Sequence, residues 1–269
     1  MAEILKPKGF KERSEARRAL ERSERERSDP SGKSANMLKE LIDKFYLDRE
    51  RERKERGKER TRFYISEAGK CPRSIFFRFK QAPAREIEAE RLRLFEHGNY
   101  IHQLILRPLF SLRLIRATEV DISPQEIIAG RADAIISVNG EPQVLDIKSI
   151  SGRMNLEKMK EPKIEDCCQI QLYLHYFGIK KGVLLYLNKD TQELREFPIT
   201  YNNELVKKLL ANFEKLKSKI ESNIIPARLI DFPEGWQCRY CDFGEICGMA
   251  GADEVNWEDF KKKIESQSR

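Results

Sequence analysis

The amino-acid sequence predicts an α/β fold, with a β-rich middle set between helical segments and a cysteine-bearing tail. Three observations predict it. Two apolar runs, 127–138 and 144–150, flank Asn139-Gly140, a dipeptide suited to tight hairpins because both central residues must adopt positive φ. Helical apolar spacing brackets that hairpin, with Leu38, Leu41, Ile42 and Phe45 before it and Leu205, Leu209, Leu210, Phe213, Leu216 and Ile220 after it. The tail holds Cys238, Cys241 and Cys247 as C-x₂-C-x₅-C, and the close C-x₂-C pair is a metal-ligand spacing.

Taken in order, residues 11–28 are almost all charged or small and read as a solvated helix or arm, with Glu21 and Arg25 as an i,i+4 pair. Residues 29–36 form a loop. Its Gly32-Lys33-Ser34 lacks the earlier glycine of a phosphate-binding loop, since Arg27 stands there. An amphipathic helix spans 37–46, and the charged run at 48–62 suits an exposed helix through Glu50–Lys54 and Glu52–Arg56. At Arg62 the composition changes. Phe63, Tyr64 and Ile65 read as a short apolar element, Ser66 as a helix N-cap, and 92–114 as a helix limited by Pro108. Strands follow at 118–122, 127–138 and 144–150, then a helix at 164–178, strands at 182–187 and 193–199, and a long helix at 202–222. From 223 the chain is loop-rich.

The chain has 269 residues and a net charge of +7, which suits one large domain or two small ones. Residues 1–62 carry 20 basic and 14 acidic side chains, so nearly all the excess charge lies there and the rest is close to neutral. Basicity therefore marks an arm, and is weak evidence about the core. No apolar run of the ~18 residues needed for a membrane span occurs, and the first twenty residues lack a signal-peptide core. Six cysteines without such a leader point to a cytoplasmic chain using thiols as ligands rather than disulfides.

The hairpin carries the main chemistry. In a strand, i and i+2 share a face, so Asp146 and Lys148 point together while Leu145 and Ile147 point into the core. Asp133, on the adjoining strand, reaches the same face. Two carboxylates make a hard oxygen site suited to Mg²⁺ or Mn²⁺. A neighbouring lysine adds a positive charge that orients water or stabilises a phosphorane. The plainer reading is a hairpin whose charges face solvent. His102, one helical turn after Gly98, is a further candidate ligand, and Gly98 would permit close approach there. Gln169 and Tyr173 share a helix face and can reach a phosphate or the lysine. Cys71, before Pro72 and an aromatic run, is the best fourth partner for the tail cysteines. A four-cysteine site takes Zn²⁺ or a [4Fe–4S] cluster, and spacing does not separate them. Cys167 and Cys168 diverge on one helix and read as packing residues.

Together these motifs resemble the PD-(D/E)XK nucleases of the RecB-like branch, and in particular the CRISPR-associated iron–sulfur exonuclease family, the fourth Cas type. The parts stand in family order over about 62–250: Cys71, Gly98-x₃-His102, Gly130-x-x-Asp133, Asp146-x-Lys148, Gln169-x₃-Tyr173 and C-x₂-C-x₅-C. The resemblance implies a restriction-endonuclease-like mixed central sheet flanked by helices, with a C-terminal iron–sulfur cap. It implies that His102, Asp133, Asp146 and the main-chain carbonyl of Ile147 bind Mg²⁺ or Mn²⁺. It implies that Lys148 is catalytic, that Gln169 and Tyr173 contact substrate, and that Cys71, Cys238, Cys241 and Cys247 hold a [4Fe–4S] cluster. The activity implied is exonuclease action on single-stranded DNA ends, often 5′→3′. Separately, Arg73, Arg78, Arg239 and Trp236 around the cysteines are candidate strand guides through phosphate attraction and stacking. Asp146 stands where many members have Glu, and Ala132 where a proline-like residue precedes the aspartate. The expected division is a charged arm over 1–61, the nuclease domain over 62–250 and a polar tail over 251–269. Alternatives on the same residues are a nicking or structure-specific endonuclease and a non-catalytic DNA-binding assembly factor.

Overall fold

A computed structural model describes residues 37–57, 60–123, 127–152 and 156–267. The expected helix at 11–28, with its Glu21–Arg25 pair, and the loop at 29–36 lie outside these residues.

The core is a five-stranded mixed sheet. Its strands are β2 (Ile115–Asp121), β4 (Arg131–Val138), β5 (Glu141–Ile150), β6 (Lys181–Asn188) and β7 (Leu194–Thr200), in the spatial order β2-β4-β5-β6-β7. Only β5 and β6 run parallel. Their crossover is helix α4 (Ile164–Phe177), since parallel neighbours need a long connection. Short β1 (Phe63–Tyr64) pairs in parallel with β3 (Ile128–Ala129), and β8 (Ile224–Ile225) pairs with β9 (Val255–Asn256).

The hairpin forms where expected. Val138 pairs with Glu141, and Asn139 and Gly140 take φ of 51° and 83°, the signs a two-residue turn requires. The apolar run at 127–138 does not make one strand. It breaks at Gly130, where the chain passes over Ile65 so closely that an added Cβ would lie 2.8 Å from Ile65 Cδ1. Ile128–Ala129 then serves β1, and Arg131 onward serves the main sheet.

Helices cover both faces. Helix α3 (Ala89–Ser111) lays Ile101, Ile105 and Leu106 on one side, against Ala134, Ile136, Leu145, Ile147 and Leu187. It runs three residues past Pro108. The other face carries α4, α5 (Asn203–Glu221) and α2 (Pro72–Phe79), whose Ile170, Phe213 and Phe76 join Val144, Leu184 and Tyr186 in the larger core. Ser66 is no helix N-cap. It sits inside a 3₁₀ turn, Ile65–Glu67, and α2 starts after Cys71 with Pro72 in its first turn.

Two regions depart from the sequence expectation. Helix α1 (Met37–Glu55) forms, but its apolar stripe faces out, with Leu38 71% and Phe45 56% exposed. The helix meets α3 through polar contacts instead, including Arg93 Nη1 to Asp43 Oδ1 at 2.5 Å and the Arg93 guanidinium over the Tyr46 ring. Of the two charge pairs expected on it, Glu52–Arg56 forms at 2.6 Å, whereas Glu50 takes Arg53. At the other end, the stretch expected as a polar tail holds helix α8 (Trp257–Gln267). Trp257 and Phe260 are buried beside Phe77, because their three-residue spacing puts both on one face. The remaining helices, α6 (Trp236–Arg239) and α7 (Gly244–Met249), are short. Among the described residues no helix is long and apolar enough to cross a membrane.

Candidate active site

Pairing of β4 with β5 runs from Val138↔Glu141 to Ala134↔Leu145. One step further along stand Asp133 and Asp146, where this ladder has ended while β5 continues against β6 to Ile150. A strand that loses its neighbour leaves backbone groups to be satisfied. Asp133 satisfies one, its Oδ2 accepting the Ile147 N–H at 2.6 Å. The same carboxylate's Oδ1 lies 3.2 Å from His102 Nδ1. Sheet and helix thus bring His102, Asp133, Asp146 and the Ile147 backbone together. Gly98 forces no close approach, since an added Cβ would meet Ser149 Oγ at 3.9 Å, an ordinary contact.

Asp146 is 2% exposed. Its Oδ1 accepts from Gln169 Nε2 at 3.1 Å. Its Oδ2 lies 2.9 Å from Lys148 Nζ as an ion pair. Lys148 Nζ donates to Gln169 Oε1 at 3.0 Å. Gln169 therefore ties both charged residues to α4, and the spacing expected to face the lysine does face it. Tyr173 is buried behind the site and donates its hydroxyl to Arg131 O at 2.7 Å. It anchors the strand that carries Asp133 and faces no open surface, unlike the substrate contact expected for it.

The electrostatics follow from burial and proximity. Burial raises the Asp146 carboxyl to about 6, against the pull of Lys148 and with the push of Asp133. Burial opposes the charge on Lys148, but Asp146 and Asp166 outweigh it and hold the ammonium above its ordinary range. The hydrogen bond to Asp133 raises His102. The buried Asp146 carboxylate, held against Lys148, is the kind of oxygen donor a hard cation takes up. By kind the donors suit Mg²⁺ or Mn²⁺, being two carboxylates, one imidazole and one carbonyl, although as placed the three side chains do not converge on one ion position.

Sequence reasoning missed Asp166 and Tyr186. Tyr186 is fully buried on β6 and donates to Asp166 Oδ2 at 2.6 Å while accepting the Lys163 N–H at 3.1 Å. Asp166 Oδ1 then sits 3.9 Å from Lys148 Nζ. The available signal was Asp166 lying three residues before Gln169, on the same helix face.

The four candidate cluster cysteines line one small pocket, with a cavity volume of about 20 Å³. Cys167 and Cys168 do not line it; Cys168 is in the core and Cys167 packs against it. Burial raises the thiols of Cys71, Cys238 and Cys241. As placed, no three His, Cys, Asp or Glu side chains among the described residues converge in the geometry that holds a single ion. Four thiols around one cavity nonetheless form a soft donor set, which fits an iron–sulfur cluster or zinc. Gln237 joins this pocket to α4: its Oε1 accepts the Cys71 N–H at 2.8 Å, and its Nε2 lies 3.2 Å from Glu165 Oε1.

Arg73 is not a strand guide. It is completely buried, with its guanidinium among main-chain carbonyls. Arg78, Arg239 and Trp236 keep substantial exposure.

Comparison with known proteins agrees with this arrangement. The family model of the PD-(D/E)XK nuclease superfamily matches residues 6–248, a span that opens well before the first motif at Cys71. The chain is 26% identical over 199 residues to the CRISPR-associated exonuclease Cas4 of Saccharolobus solfataricus (strain ATCC 35092 / DSM 1617 / JCM 11322 / P2), covering 71% of this chain and 89% of that protein. The crystal structure of SSO0001 superposes with a TM-score of 0.51 at 26% identity, over 79% of this chain and 97% of that one. With a matched span this long and the acidic-lysine hairpin in place, the chain belongs to the PD-(D/E)XK nuclease superfamily.

Proposed function

We propose that this chain is a divalent-metal-dependent DNA exonuclease that hydrolyses phosphodiester bonds at single-stranded ends, in the 5′→3′ direction, in DNA end processing. The observation that carries it is the meeting of Asp133, Asp146 and Lys148 where β4 and β5 part. Similarity to a Cas4 exonuclease supports the choice of exonuclease.

In this reading Asp133, Asp146, His102 and the carbonyl of Ile147 would hold Mg²⁺ or Mn²⁺. When bound, such an ion lowers the pKa of water and offsets phosphate charge. Lys148 keeps a fixed positive charge beside the scissile phosphate, where negative charge grows during attack. Gln169 holds Lys148 and Asp146 in register, Asp166 steadies the lysine head, and Tyr173 keeps β4 in place. Exposed Trp236 and Arg239 offer stacking and phosphate contact to a single strand. The nuclease domain is assigned to 62–250. The basic segment before it adds salt-sensitive, sequence-independent affinity.

Cys71, Cys238, Cys241 and Cys247 are assigned a [4Fe–4S] cluster that staples the start of the domain to its end. Zn²⁺ is the alternative occupant of the same four thiols. Brown protein absorbing near ~400 nm supports iron; colourless protein with stoichiometric zinc rejects it. The chain is assigned to the cytoplasm, where free thiols persist.

The test is digestion of 5′-labelled, 3′-labelled and covalently closed circular single strands, with Mg²⁺, with Mn²⁺ and with chelator. Metal-dependent loss of the linear strands, release of the 5′ label first, and intact circles are expected. Cleaved circles would replace the exonuclease with an endonuclease on the same core.

A further inference from the structure

The pocket between α2, α6 and α7 is lined by four cysteines and two arginines, Arg73 and Arg228, and by no acidic side chain. Arg73 is 0% exposed. Its Nε donates to Pro226 O at 2.6 Å, Nη1 to Gly251 O at 2.7 Å, and Nη2 to Asp253 O at 2.7 Å and Ala252 O at 3.2 Å. Nη1 also reaches Cys247, at 3.4 Å from its carbonyl and 3.6 Å from its Sγ. None of the ion pairs among the described residues includes Arg73. Carbonyl dipoles satisfy its N–H groups but leave its charge. Enclosing an unpaired cation costs several kcal/mol or more, so the fold implies an anion nearby. The pocket's only groups able to supply one are the four sulfurs.

We propose that Arg73 and Arg228 are the internal counter-ions of an anionic metal–thiolate centre in this pocket. Arg73 is its positioning residue, through an N–H···S contact to Cys247. The proposal rests on the cysteine-bound centre assigned above. Four thiolates around a doubly positive core leave a doubly negative centre, matching two guanidiniums. The match holds for an oxidised [4Fe–4S] core and for Zn²⁺ alike. Cationic donors beside cluster sulfurs favour the reduced state and hold the ligands in place. Arg228 is only partly buried and lies over the Phe232 ring, 4.4 Å from its centroid, so it can be changed without emptying the core.

The experiment compares the full chain with Arg73→Gln, Arg73→Lys and Arg228→Gln, all purified anaerobically. Folding is checked by circular dichroism, and metal and sulfide per chain are measured. Iron-containing protein is titrated with redox dyes while its visible absorbance is followed, and metal release to a chelator is timed. Lower reduction potentials are expected in both Gln variants. Release should be about tenfold faster or more in Arg73→Gln, with Arg73→Lys in between. If zinc is bound, the release rates carry the same ranking. If Arg73→Gln does not fold, Arg228→Gln and Arg73→Lys decide. Metal-loaded variants with wild-type release rates, and for iron a wild-type potential, would overturn the counter-ion role and leave the metal centre standing. A wild-type chain that takes up neither iron nor zinc would overturn the centre and this proposal together.

Discussion

The acidic site and the cysteine pocket are built on opposite principles. The acidic site comes from residues close in sequence on one hairpin, Asp133, Asp146 and Lys148, joined by one helix turn carrying Asp166 and Gln169. It gathers charge that burial disfavours, with the Asp146 carboxylate buried against Lys148. The pocket gathers four thiols from positions far apart in the chain and is lined by a buried Arg73 and a partly buried Arg228, with no acid in its lining. The first site holds reactive groups that burial disfavours; the second, on the proposed reading, gains stability when a metal closes it. Gln237 ties the pocket to α4, the helix that also carries Asp166 and Gln169, through Cys71 and Glu165.

Changes at the two sites should therefore separate activity from stability. The largest effect belongs to Asp146→Asn, expected to cut the cleavage rate by roughly a thousandfold or more. Its unfolding temperature in divalent-free buffer should not fall, because a buried charge is removed. A clear drop, read by calorimetry, would mean the acidic site also holds the fold together. Next stands Cys247→Ser, expected to lose bound metal and to unfold about 5–10 °C lower, as a loss of ~2–3 kcal/mol does in a chain of this size. Unchanged metal content would remove Cys247 from the ligand set. Asp166→Asn is expected to lower kcat about tenfold while KM stays within about twofold, since the residue acts through Lys148 and not on substrate binding. Asp166→Glu should recover part of the loss, and Tyr186→Phe should show a smaller one. Equal falls in kcat for Asp166→Asn and Asp166→Glu would point to general damage in α4.

The raised Asp146 carboxyl gives a pH signature. With its pKa lifted to about 6 in the fold, the neutral acid favours the native state at low pH. That contribution is lost as pH rises through about 6. A divalent ion competes with the proton for the same oxygens. Mg²⁺ should thus raise the unfolding temperature at pH 8 and have little effect at pH 5. A Mg²⁺ shift equal at both pH values would place the ion elsewhere. Gln237→Ala should do least, changing cleavage only a few-fold; a larger fall with full metal content would show that the pocket governs the acidic site.

What was legible in the sequence follows the same division. The hairpin showed itself because Asn139-Gly140 has a backbone requirement few other dipeptides meet. Asp146 and Lys148 followed from strand alternation. Gly130 appeared as a motif residue, but its reason, the close passage over Ile65, depends on a contact distant in sequence. Asp166 was hidden because a carboxylate in the first turn of a helix is ordinary there. Its link to Lys148 depends on Tyr186 from another strand. Helix α8 was hidden because Trp257 and Phe260 stand among charged residues that dilute their period. Helix α1 misled in the reverse sense: its apolar stripe predicts a buried face, yet the helix meets α3 through polar side chains and leaves the stripe exposed. Arg73 looked like a nucleic-acid contact by composition, and burial alone reassigns it.

The central claim is that Lys148, held between Asp146, Gln169 and Asp166, carries the chemistry. Its most direct test is single-turnover cleavage of an end-labelled single strand in Mg²⁺ by wild type and Lys148→Ala, with circular dichroism showing both folded and gel shifts showing both bind the strand. A rate reduced by about a thousandfold with binding retained is the expected result. Cleavage by Lys148→Ala at the wild-type rate would contradict the assignment.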